Sequence, residues 1–122
     1  MYYLLLIALL ASGPAAPHGN FHSHLLIEPG RQFILGGDQP GLFRVRGRNV
    51  GPVPVEVRER LRSGQVLYRA ALAPGQRGAL SFGPGSTALL RNTGAQQAVL
   101  DLDISGSRPG RMTYEPAATP GK

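Results

Sequence analysis

The chain of 122 residues has no cysteine and no tryptophan, and its single lysine is the last residue, Lys122. The missing thiols exclude a disulfide framework, Cys-ligated zinc or iron–sulfur sites, a thiol nucleophile and the acylated cysteine of a lipoprotein. No apolar run reaches the ~18 residues that a membrane-spanning helix requires. Helical periodicity is missing as well, because Gly (17) and Pro (11) break every candidate window. Acidic residues are few: 7 Asp+Glu stand against 13 Lys+Arg, a formal net charge of +6. The length fits one domain, and 42% hydrophobic residues suffice for a packed core.

Tyr2 to Ala11 is an unbroken apolar run, followed by Ser12-Gly13-Pro14-Ala15-Ala16-Pro17. A run of that length with small residues after it reads as a secretory signal, although no Lys or Arg precedes it. Residues 1–16 are the expected signal peptide, cut after Ala15 or Ala16. The expected location is periplasmic or extracellular, with no transmembrane span once the signal is removed. Residues 17–105 form the expected domain, and 106–122, rich in Pro and Gly, a flexible tail.

Between these limits turn signals recur every nine to thirteen residues, among them Gly36-Gly37-Asp38, Asn49-Val50-Gly51-Pro52, Ser63-Gly64, Pro74-Gly75, Gly83-Pro84-Gly85 and Asn92-Thr93-Gly94. In Pro74-Gly75 and Pro84-Gly85, proline presets φ near −65° and glycine supplies the positive φ of a type II turn. The stretches between them alternate. Ala98, Leu100, Leu102 and Ile104 share one face, opposite Val99, Asp101 and Asp103. Phe43 and Val45 oppose Arg44, Arg46 and Arg48; Val53, Val55, Val57 and Leu61 oppose Glu56, Arg58, Arg60 and Arg62. Such alternation marks half-buried strands. The expected fold is all-β: a small antiparallel β-sandwich of about seven short strands near 24–28, 31–36, 42–49, 53–62, 65–72, 77–82, 86–91 and 97–104, the first two forming one bent strand. One residue conflicts with the pattern. Glu59 falls on the dry face beside Val57, and an unpaired buried carboxylate is costly, so a bulge, an early strand end or an arginine partner is expected there.

Arg48-Asn49-Val50-Gly51 leading into the Val-rich strand from Val53 to Val57 resembles the generic bacterial immunoglobulin-like sandwich, over residues 31–105. That resemblance implies an adhesion, carbohydrate-binding or spacer role and no particular chemistry.

Three constellations carry the candidate functions. Arg44, Arg46, Arg48, Arg58, Arg60 and Arg62 lie on two consecutive strands. Folded as a hairpin about Val50-Gly51-Pro52, those strands would gather most of the six guanidinium groups on one outer face, suited to carboxylate and phosphate. The expected partners are an acidic polysaccharide, an anionic surface or another envelope protein. Nucleic acid is disfavoured because no aromatic side chain interleaves with the arginines. The second constellation is His18, His22 and His24, an alternative zinc or copper site. His-x-His places two imidazoles on one strand face, but His18 lies about 13 Å from His22 if the chain is extended. The third is Asp101 and Asp103, spaced about 7 Å apart between the carboxyl distances of retaining and inverting glycosidases. An alternating strand's wet side explains that pair fully. No Gly-x-Ser-x-Gly and no phosphate loop occurs, and the expectation is a binding or structural protein without enzymatic activity or cofactor.

Overall fold

The computed structural model describes residues 18–117. The expected signal segment lies outside the described residues. Nine strands and no helix occur among them: β1 (His18–Ile27), β2 (Arg31–Gly36), β3 (Phe43–Asn49), β4 (Val55–Arg60), β5 (Val66–Leu72), β6 (Arg77–Phe82), β7 (Thr87–Asn92), β8 (Ala98–Ser107) and β9 (Met112–Pro116). All pairings are antiparallel. One sheet has five strands in the order β9-β2-β7-β4-β5, the other four in the order β1-β8-β3-β6.

The chain changes sheet at every connection except the β4–β5 hairpin. This overturns the expected hairpin of β3 and β4. Pro52 and Pro54 have no N–H to donate to a ladder, and the segment between them carries Val53, which is 7% exposed, into the core. Nor are the first two strands one bent strand, since β1 and β2 belong to different sheets. The sandwich also continues past residue 105. β8 runs to Ser107, and Met112–Pro116 adds an edge strand to β2 where a flexible tail was expected.

The core lies between the sheets. Leu25, Ile27, Phe43, Phe82, Leu100, Leu102 and Ile104 descend from the four-stranded sheet onto Phe33, Leu35, Val55, Val57 and Leu90 of the five-stranded one. Phe43 and Phe82, opposite each other in register, stack with centroids 5.2 Å apart.

Glu59 has both of the remedies its position demanded. It stays on the inner side at 7% exposure, and the β4–β5 register slips between Val57 and Arg58, leaving Arg69 as the extra residue on β5. Arg69 uses that freedom to donate to Glu59 Oε1 and, 3.1 Å away, to the carbonyl of Ser81 on β6. Its guanidinium also lies 5.2 Å from the centre of the Phe82 ring.

Candidate anion-binding face

Because β3 and β4 part company, the six predicted arginines do not converge. Arg44, Arg46 and Arg48 project from the outer face of the four-stranded sheet, all exposed. Arg58 and Arg60 sit on the outer face of the five-stranded sheet, where acids meet them. Arg58 Nε is 2.8 Å from Glu56, Arg60 is 3.7 Å from Glu115, and Arg91 joins Glu56 at 3.7 Å. Arg62 lies beyond the end of β4, its guanidinium against Gly85. Only half of the predicted set therefore shares a surface.

That surface gains residues that do not follow from sequence. Arg77 of β6 stands directly opposite Arg48. On the other side of β3 runs β8, which sets Asp103 opposite Arg46 and Asp101 opposite Arg48. Beyond β8 lies β1, with His22 opposite Asp103 and His24 opposite Asp101. The strands thus write two adjacent rows, His22–Asp103–Arg46–Ala79 and His24–Asp101–Arg48–Arg77, bordered by Asn20–Ser105–Arg44–Ser81. A polar depression is lined by Arg46, Arg48, Arg77, Asp101 and Asp103, with Gly47, Gly78 and Ala79 as its floor.

Within the rows the aspartates are engaged on one side only. His22 Nδ1 is 2.8 Å from Asp103 Oδ1, and His24 Nδ1 is 2.6 Å from Asp101 Oδ1. None of Arg44, Arg46, Arg48 and Arg77 makes an ion pair among the described residues. Arg48 and Arg77 face each other as like charges, an unfavourable cross-strand pair that an anion seated between them would relieve. Four arginines against two aspartates leave the face net positive.

The hydrogen bond that His22 Nδ1–H donates to Asp103 holds the His22 pKa above its ordinary 6.5, against a smaller opposing effect of desolvation; the charges of Asp103 and Asp101 add to the rise. A raised folded-state pKa means that the bond's contribution to stability is fully present below pH 6.5. It is lost as pH climbs through the folded value. A two-dimensional NMR titration is expected to place the His22 midpoint above 6.5, and Asp103→Asn to bring it back down. An unchanged midpoint in that variant would remove the bond as the cause.

The histidine segment lies in strand β1. His18 is opposite Ser107, four residues along from His22 on the same strand, so the three histidines do not meet at a point along the backbone. Among the described residues no group of three or more His, Cys, Asp or Glu side chains is arranged to hold a metal ion. Asp101 and Asp103 do share the outer face, each turned to a histidine. Comparison with known protein families, curated proteins and solved structures gives no match.

Proposed function

We propose that this chain is an exported immunoglobulin-like binding module that takes anionic ligands on the outer face of its four-stranded sheet. The observation that supports it most is an asymmetry between the two outer faces. Arg58, Arg60 and Arg91 are matched by Glu56 and Glu115 on one. Arg44, Arg46, Arg48 and Arg77 on the other make no ion pairs among the described residues, while the aspartates in their rows bond to histidines. Exposed guanidinium groups in adjacent rows suit the spaced carboxylates and sulfates of an acidic polysaccharide, or the phosphates of an anionic surface.

The triple variant Arg46→Ser/Arg48→Ser/Arg77→Ser is expected to elute early from heparin. The slope of log affinity against log salt should fall by about 2–3 for three lost contacts, by analogy with polyphosphates. Arg58→Ser/Arg60→Ser, on the ion-paired face, should elute nearly as the native chain does. Equal losses in the two variants would reduce the effect to net charge and dismiss the proposed face.

A further inference from the structure

On the β5–β6 side the two sheets are not sealed. β5 ends the five-stranded sheet and β6 ends the four-stranded one, so no further strand among the described residues covers the gap between them. A cavity of about 210 Å³ lies there, with Val57, Ala70 and Leu72 on one side and Val45, Leu80 and Phe82 on the other. Protein interiors hold few voids larger than a water molecule, and an apolar cavity of ~150 Å³ already takes up benzene.

The register explains the void. Inward positions run Val45, Gly47, Asn49 along β3 and Gly78, Leu80, Phe82 along β6. Gly47 is directly opposite Gly78, so at one level of this wall neither strand carries a side chain. Leu102 occupies the space beside Gly47, where a Cβ would come within 2.9 Å of it. On the Gly78 side the one side chain that approaches is Leu72 from the other sheet, whose Cδ2 would stand 3.3 Å from a Cβ placed there. Beside Leu72, β5 adds to the lining only the small side chains of Ala70 and Ala71.

The lining is apolar except at one end, where it reaches Gln76 and Arg77. Arg77 has no carboxylate partner among the described residues and also borders the outer depression with Arg46 and Arg48. A slot whose apolar lining is joined by Arg77, which makes no ion pair among the described residues, has the complement of a hydrocarbon chain with one anionic head. We infer that this cleft binds an alkyl-chain amphiphile carrying a carboxylate or phosphate head. The chain lies between Ala70, Val57, Leu80 and Phe82, and the head rests at Arg77. The site is separate from the proposed polyanion face apart from Arg77, which borders both.

Isothermal titration of the full chain with decanoate and decyl phosphate, below their micellar concentrations, tests this. Acetate and inorganic phosphate supply heads without chains, and decyltrimethylammonium supplies the chain with the opposite charge. Both decyl anions are expected to bind saturably with one site, and acetate and inorganic phosphate not to bind in the same range. The cation should bind about two- to fivefold more weakly, the discrimination a single exposed charge supplies. Ala70→Leu, which fills the slot, should weaken decanoate about tenfold or more and leave heparin elution unchanged. Arg46→Ser/Arg48→Ser should do the reverse, so the two sites fail separately. Should Ala70→Leu lose its β-sheet circular dichroism, Gly78→Val blocks the slot from the other wall. The proposal is overturned by an absence of saturable decyl binding, or by full affinity in a folded blocking variant. It falls equally if inorganic phosphate binds as tightly as decyl phosphate, or if sedimentation shows a dimer that decanoate leaves intact and a second copy therefore occupies the cleft.

Discussion

Replacing Asn49 by alanine is expected to cost about 3 kcal/mol of stability and to lower the midpoint of thermal unfolding by more than about 10 °C. The side chain is fully buried at the point where the chain leaves the four-stranded sheet for the five-stranded one. Its Nδ2 donates to the carbonyls of Val53 and Leu72, at 2.8 and 2.9 Å, and its Oδ1 accepts from the Gly51 N–H at 3.0 Å. One amide therefore ties the crossing segment to itself and to the end of β5. Alanine would leave two carbonyls and an N–H without partners in places water reaches poorly, each at a cost of about 1–3 kcal/mol before relaxation. Asn92 does the same at the return crossing from β7 to β8. Its Nδ2 donates to Ile27 and Gln96, and its Oδ1 accepts from Gly94. Asn→Asp at either site keeps the acceptor but turns a carboxylate toward two carbonyls, so it should be at least as damaging as alanine. Chemical denaturation of the single variants checks this. A loss under 1 kcal/mol in Asn49→Ala would mean that water replaces the amide.

The paired use of Asn-x-Gly was open to a reader of the sequence, since Arg48-Asn49-Val50-Gly51 and Arg91-Asn92-Thr93-Gly94 follow one pattern. Strand existence was legible for a related reason. β3, β4 and β8 bury one face and wet the other, and alternation records that directly. β9 has no such record because both its faces are largely exposed. Pairing was hidden more deeply. Alternation says which side chains share a face of a strand and nothing about which strand lies beside it. With seven of eight connections crossing between the sheets, chain neighbours are seldom sheet neighbours. The His22–Asp103 bond joins residues 81 positions apart, and Arg77 meets Arg48 across a ladder between strands separated by a whole hairpin. Five of the six arginines were therefore divided between opposite faces, with Arg62 beyond the strand end, and the face that remained drew its other members from β1, β6 and β8.

Arg69→Met is expected to destabilise the protein by about 3 kcal/mol, and Glu59→Leu/Arg69→Met to recover most of that loss. Breaking a fully buried ion pair by removing one partner costs about 3–5 kcal/mol, whereas replacing both by apolar groups is often neutral or better. The lower end applies here. The Glu59 side chain is 9% exposed, but that of Arg69 is 26% exposed and partly screened. The single variant leaves a carboxylate against Val57 on the dry side of β4 with no cation to answer it. It also removes the donor that reaches the Ser81 carbonyl and the charge over Phe82. Those two contacts bridge the last strand of each sheet, on the side of the molecule where the cavity lies. The double variant restores the apolar character of β4 without restoring the bridge. Stability and edge closure therefore separate in one experiment. Denaturant midpoints should recover in Glu59→Leu/Arg69→Met, while amide exchange along β6 stays faster than in the native chain in both variants. If exchange slows together with the recovered midpoint, then Arg69 serves only to neutralise Glu59, and the bulge that frees it has no part in holding the two edges together.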